Sequence, residues 1–313
     1  MIPQRNKYLA LFVASALTLG GCFTGVESTK RITDSDVRRQ QAGHVTAEQR
    51  FMADIAPTPP AHWVPGRRMR VDDERVSLIF APNSDDSGGL VGHDLFFDGF
   101  AAAQSLTGAA TDVVLRDDRG RRFYYRLNNS KAEVDTMEVL RIPFTVDVDV
   151  VQRVDEQMRG RDYYVRTPMW LNPATGERID GGLRHIRVTV DSVGIGTANY
   201  PAAVYFHASE GPQGTYMLYM TVGSGRTATR NFDTLFAFDN PRKQYPEIRD
   251  NVWELIKRSR VAKDMTRDEC RLALGAPQQI ERIPTRAGMA ERWRYSDGVY
   301  LVFDDGYLSA FRI

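Results

Sequence analysis

The stretch Lys263–Pro277, "KDMTRDECRLALGAP", decides how the end of this chain folds. Thr266 followed three residues later by Glu269 is a capping box. The hydroxyl accepts a backbone N–H while the carboxylate reaches back to the amide of the cap. The predicted helix runs to Leu274, stops at Gly275 and cannot continue into Pro277. Cys270, Ala273 and Leu274 fall at i, i+3 and i+4, which makes one apolar face. Cys270 is one of two cysteines among 313 residues. Nucleophile, metal ligand, disulfide half and small apolar side chain are all open to it until the other cysteine, Cys22, is placed.

Downstream, "QIERIPTR", "AERWRYSDG", "VYLVFDDG" and "YLSAFRI" alternate apolar and polar residues. Ser296-Asp297-Gly298 and Asp304-Asp305-Gly306 separate them as tight turns, with Gly supplying the positive φ. The pattern predicts a three-stranded antiparallel meander, or four strands with a lead-in. Upstream, Ile248, Val252, Leu255 and Ile256 mark one face of a helix over about 247–260, with Trp253 beside the stripe. Residues 245–313 therefore read as an ααβββ unit.

Met265, Thr266, Leu274, Gly275, Pro277, Trp293, Tyr295, Leu301, Phe303, Gly306 and Leu308 resemble the pattern of the BamE-like (SmpA/OmlA) lipoprotein domain. That family shows a "GMT…LG.P" helix, a "W.Y" strand and an "l.F..G.l" hairpin. Asp264 departs from the usual Gly, and Cys270 from the common Val. The resemblance is confined to the last fifth of the chain. It implies a non-catalytic domain of the cell envelope, and partners among envelope proteins such as the β-barrel assembly machinery.

The other end points to the same compartment. After Arg5 and Lys7 comes an apolar run, Tyr8–Leu19, then Gly20, Gly21 and Cys22. A basic start, a short apolar core and small residues make a secretory signal peptide. The run is too short for a bilayer, which needs ~20 apolar residues. Leu19-Gly20-Gly21-Cys22 resembles the bacterial lipobox, so residues 1–21 are expected to be removed and Cys22 acylated. More than one acyl chain gives a firm membrane anchor. Phe23, rather than an Asp, after the lipid cysteine favours the outer membrane, facing the periplasm. Cys270 is then an odd thiol in an oxidising compartment. An intermolecular bridge, a reactive thiol and a buried group remain. None of His44, His62, His93, His185 and His207 is near it in sequence, and its apolar face favours the buried, inert reading.

The chain between is long enough for two or three domains. Lys plus Arg number 41 and Asp plus Glu 40, a balance with no nucleic-acid footprint. Residues 22–65 read as a tether and linker. They include a short helix in "TAEQRFMADIAP" and a stiff connector with Pro57, Pro59, Pro60 and Pro65. From Gly66 the order of apolar runs and turns recurs. "GRRMRV" at 66–71 answers "GRDYYV" at 160–165, and "DVVLRDDRG" at 112–120 answers "AVYFHASEG" at 203–211. "FYYRL" at 123–127 aligns with "TYMLY" at 215–219, and "RIPFTVD" at 141–147 with "DTLFAFD" at 233–239. Two β modules follow, 66–150 and 160–240, each a small SH3-like or OB-like barrel. The fold class is α+β and β-rich.

Candidate chemistry is sparse. His93, Asp94 and Asp98 form a weak metal set, and "VDVDV" at 146–150 reads as acids on a solvated strand face. "GIG" at 194–196 lacks the rest of a dinucleotide motif. No nucleophile elbow, phosphate loop, HExxH or EF-hand sequence occurs, so neither a cofactor nor catalysis is expected. The aromatics Tyr124, Tyr125, Tyr163, Tyr164, Trp170, Tyr216 and Tyr219 sit in strand-like runs, where alternate residues face opposite ways. One of each pair is expected in the core; packing is the leading reading of these rings, and Trp170, Tyr124, Tyr163, Tyr216 and, near the end, Trp293 are the candidate anchors for peptide or glycan where a ring is exposed. The expected role is a scaffold or accessory in outer-membrane protein assembly. The alternative is a lipoprotein that grips cell wall or glycan through the β modules.

Overall fold

Two five-residue openings, Gly66 to Arg70 and Gly160 to Tyr164, start the two halves of the β region, each on a glycine with positive φ (94° and 71°). In the computed structural model, the described residues are 46–313 apart from 54, 56, 107, 224–228, 286 and 287. The expected signal peptide, Cys22 and most of the tether lie outside them. Residues Thr46–Ile313 cluster as one unit.

The first sheet contains β1 (Arg68–Val71), β2 (Asp94–Ser105), β3 (Gly108–Arg116), β4 (Arg122–Leu127) and β5 (Thr145–Asp147). Its order is β4-β3-β2-β1-β5, and every pairing is antiparallel. The second contains β6 (Asp162–Val165), β7 (Ile186–Ile195), β8 (Ala202–Ala208), β9 (Thr215–Met220) and β10 (Phe236–Ala237), in the order β10-β6-β7-β8-β9. Both follow one plan. The first strand lies between the second and the last. The approach to the last strand differs: α2 (Lys131–Asp135) lies well before β5, whereas α4 (Phe232–Leu235) leads directly into β10 and matches residues 141–144 by register. Each long connection after the first strand returns to the far edge, where Phe80 bridges Tyr125 and Leu171 bridges Met217.

The registers agree residue by residue. β2 carries a bulge at Asp98, between Phe97 and Gly99, and β7 one at Asp191, between Val190 and Ser192. Counted from these bulges, Met69 corresponds to Tyr163, Asp72 to Arg166, Thr145 to Phe236 and Asp147 to Phe238. The amide of Asp72 donates to Phe144 O at 2.9 Å, and that of Arg166 to Leu235 O at 2.7 Å. Two alignments made from sequence shift by one residue. Phe123 faces Leu115 as Tyr216 faces Phe206, so Phe123 matches Tyr216, because the second hairpin has the longer loop. Thr145, not Phe144, matches Phe236.

"VDVDV" is not a continuous strand. Asp147 ends β5 and caps α3 (Val148–Met158), its carboxylate accepting the amides of Asp149 and Val150. An acid at the N-cap satisfies amides that the helix cannot, so the chain turns helical there. Val150, Val151, Val154 and Met158 then share a buried face against the second core.

The last unit packs α5 (Asp250–Lys257) and α6 (Arg267–Leu274) on a four-stranded sheet. Its strands are β11 (Gln279–Thr285), β12 (Gly288–Arg294), β13 (Tyr300–Asp304) and β14 (Tyr307–Arg312), paired in that order. The lead-in strand is therefore present. Both halves of the Thr266–Glu269 capping box form, and Gly275 ends α6 with φ 87°. No helix of the described residues is long and apolar enough to cross a membrane.

Candidate binding groove between the two sheets

A cavity of about 710 Å³ opens where the first β unit meets the second. Met69, Asp72, Phe144 and Asp147 form one wall, and Ala198, Tyr200 and Tyr219 line the other. The volume lies within the ~300–1,000 Å³ of small-molecule and side-chain pockets.

Local chemistry explains each wall. The β7–β8 loop is held to the first unit by the Ala198 amide, which donates to Asp72 Oδ2 at 2.8 Å. Phe144 has φ 63°, a left-handed backbone that aromatic residues rarely adopt. The conformation brings its ring under the Arg75 guanidinium, 4.9 Å from the ring centroid. Arg75 in turn is held by Asp73 (Nε to Oδ1, 3.0 Å), whose carboxyl is lowered to about 2 by that bond and by the Arg75 amide. Beneath the groove, buried Arg67 donates through Nε to Asp147 Oδ2 at 3.1 Å. Burial pushes the Asp147 carboxyl above the ordinary carboxylate range, while Arg67 and the helix amide pull the other way.

Two cations sit at the mouth. The Arg230 guanidinium lies 5.1 Å over the Tyr200 ring. Arg141 Nη2 lies 3.9 Å from where a Cβ on Gly223 would be. Neither has an ion-pair partner among the described residues. Apolar walls, half-buried rings and two guanidiniums with no ion-pair partner among the described residues make a surface able to bind an apolar, acidic segment.

Four of the five predicted anchors lie in the cores. Trp170 packs edge-on to Phe206 at 5.3 Å and donates to Thr167 O at 2.9 Å. Tyr163 sits in the cluster of Phe232 and Phe236. Tyr216 packs on Trp170, its hydroxyl donating to Gln213 O, and Trp293 lies 4.6 Å from Phe303. All four are at most 8% exposed and offer no free face to a ligand. In sheets this small, the largest rings are what fills the single covered face. Tyr124 is half-buried on the edge strand β4, with its amide donating to Ser84 Oγ, away from the groove. Tyr219, from the wider aromatic set, does line the groove. Phe144 and Tyr200 were missed. Each precedes or follows an irregular stretch rather than an alternating run, and only the packing of one unit on the other brings both to one groove.

The other candidates have structural partners. Arg70 Nε donates to Asp94 at 2.6 Å, and Asp98 lies 3.9 Å from Arg116. Cys270 is fully buried in the last core, where burial, then Glu269, pushes its thiol up to about 12. A thiol so far from ionisation is no nucleophile.

A second polar cluster joins the second β unit to the last domain. Arg184 Nη1 donates to Leu272 O (2.9 Å) and Ala273 O (2.6 Å), and His185 Nε2 meets Leu272 O at 3.1 Å. These carbonyls are the unpaired C-terminal end of α6, where donors and positive charge are favoured. Burial, against the pull of Leu272 O, holds the His185 ring down to about 4.

The fold is thus α+β, built mostly of antiparallel sheets with few helices, and one groove opens between the first two sheets. No protein-family model matches the chain, and no curated protein or solved structure does either.

Proposed function

We propose that this chain is a lipid-anchored, non-catalytic scaffold or accessory of outer-membrane protein assembly, working by protein contacts. Acylated Cys22 would hold it to the outer membrane, facing the periplasm. The observation that carries the reading is the groove: apolar and aromatic walls with two guanidiniums that have no ion-pair partner among the described residues. Two further features support it. A long connection after the first strand and a helical turn before the last suit SH3-like barrels, a fold often used for peptide contacts. The αα-plus-meander order of residues 245–313, with its capping box and Trp293 core, is compatible with a BamE-like domain.

The test is in-cell crosslinking and affinity capture of the full-length chain, compared with Cys22→Ala. Enrichment of the β-barrel assembly machinery that disappears in Cys22→Ala supports this function. Enrichment of wall fragments or wall enzymes instead replaces it with the cell-wall reading.

A further inference from the structure

The two β units share one site, and in the second it is filled by the chain itself. α1 (Ala47–Ala53) lies on the second unit. Its Phe51 ring sits 4.7 Å from Phe232, 5.3 Å from Phe238 and 6.2 Å from Tyr163. Glu48 Oε1 accepts the Phe238 amide at 3.4 Å and lies 4.0 Å from Arg166. The residues of this seat have counterparts in the first unit. Tyr163, Arg166, Leu235, Phe236 and Phe238 correspond to Met69, Asp72, Phe144, Thr145 and Asp147. All five counterparts line the groove.

We infer that the groove of the first unit receives a short helix from a partner protein, seated by one aromatic side chain and carrying a carboxylate. The inference rests on the proposed role in protein contacts and names the segment recognised. Three arguments lead to it. Tyr163, Phe236 and Phe238 are replaced by Met69, Thr145 and Asp147, so ring volume that closes the second seat is missing from the first. Tyr200 and Tyr219 from the second unit supply ring faces on the opposite wall, fit for an aromatic anchor. The charge is complementary as well. In the second seat the docked helix answers Arg166 with Glu48. In the first, Asp72 is taken by the Ala198 amide, while Arg141 and Arg230 at the mouth have no ion-pair partner among the described residues. A carboxylate on the incoming helix meets them. An added strand does not fit, because β5 has only three residues before Asp147 turns the chain into α3.

The probe is the peptide of residues 46–57, TAEQRFMADIAP, labelled with fluorescein and titrated by anisotropy into the full chain carrying Cys22→Ala. An isolated helix this short is marginal in water, so saturable binding in the high micromolar range is expected. Alanine in place of the peptide's phenylalanine is expected to weaken it about tenfold, as is Tyr200→Ala or the pair Arg141→Glu and Arg230→Glu in the protein. A photo-crosslinking residue at exposed Asn199, which lines the groove, is expected to capture the peptide. This second readout holds even where Tyr200→Ala disturbs the loop. Absence of saturable binding overturns the inference. So does binding that the groove variants leave unchanged, since the peptide would then be exchanging with α1 on the second unit. Failure here with in-cell capture of the assembly machinery intact removes the groove as the site and leaves the envelope role standing.

Discussion

The two β units follow one strand plan and are finished differently. The second is closed on both flanks. α1 seats Phe51 among Tyr163, Phe232 and Phe238, and Arg184 with His185 docks the turn before β7 onto the end of α6. Among the described residues the first has neither cover. Its counterpart to the Phe51 seat is the groove, and its counterpart to His185 is Gly92. One topology therefore supports a closed unit or a unit with an open groove, depending on which side chains occupy a few matched positions. Fold alone does not assign the role, but the difference between matched sites points to it.

The sharpest way to break the comparison is at Arg67. It is buried against Asp147, whereas its counterpart Arg161 is exposed. Arg67→Ala removes the guanidinium from the half-buried Asp147 carboxylate and leaves it only the Asp149 and Val150 amides, and the loss expected is about 3 kcal/mol. Arg161→Ala should lie within about 0.5 kcal/mol of the parent. Chemical denaturation followed by tryptophan fluorescence measures both. Equal effects would mean that the floor of the groove is no more demanding than an exposed strand end.

Acid should act on the second unit through His185. Its ring stays neutral in the folded chain down to about 4, while an unperturbed histidine takes up a proton near 6.5. The unfolded chain then binds more protons between those values, so stability is full above about 6.5 and falls as pH drops toward 4. The loss is of the order of 3 kcal/mol for one fully protonated ring. His185→Asn keeps a residue that tolerates positive φ and removes the titration, so its stability should stay flatter over that range. A parent protein whose denaturation midpoint does not move between pH 7 and pH 4.5 would sink this account.

Phe51→Ala tests the filled seat itself. Phe51 is half-buried, so the expected cost is about 2–3 kcal/mol, below that of a fully buried ring. The same variant should make the second unit bind the phenylalanine-bearing peptide, which gives two sites in a titration where the parent has one. A stoichiometry of one in both proteins would show that the seats are not equivalent.

Much of this was legible in the residues, and the failures have physical causes. Thr266, Glu269 and Gly275 were readable because a cap and a left-handed stop are local chemistry. The recurring order of runs corresponds to matched strands, because sheet pairing follows alternation. Asp147 was misread since an acid in a valine run fits a strand edge and a helix cap equally until Val150, Val151 and Val154 find a common core. The aromatics stayed open for another reason. Alternation separates two faces but does not say which one is covered, so packing and anchor roles for Trp170 and Tyr163 could be told apart only by their burial. Phe144 and Tyr200 belong to irregular stretches about 56 positions apart in sequence, and only the packing of one unit on the other makes them a site.

The smallest effect isolates backbone from side chain. Gly92 and His185 occupy the same turn, with φ of 79° and 59°, and their amides donate to Val71 O and Val165 O. A left-handed residue with a side chain costs roughly 1–2 kcal/mol, which glycine avoids. His185 is offset by what its ring reaches: Leu272 O at 3.1 Å and the Trp253 ring at 5.8 Å. A Cβ at Gly92 meets nothing within 4 Å, so Gly92→His adds strain with neither clash nor partner. It is expected to destabilise the first unit by about 1–2 kcal/mol. His185→Gly removes the same strain together with the docking contacts, so it should still destabilise, and amide exchange should rise in α6 rather than in β7. If His185→Gly stabilised the chain instead, the histidine would contribute nothing to holding the last domain, and the closed flank of the second unit would rest on Arg184 alone.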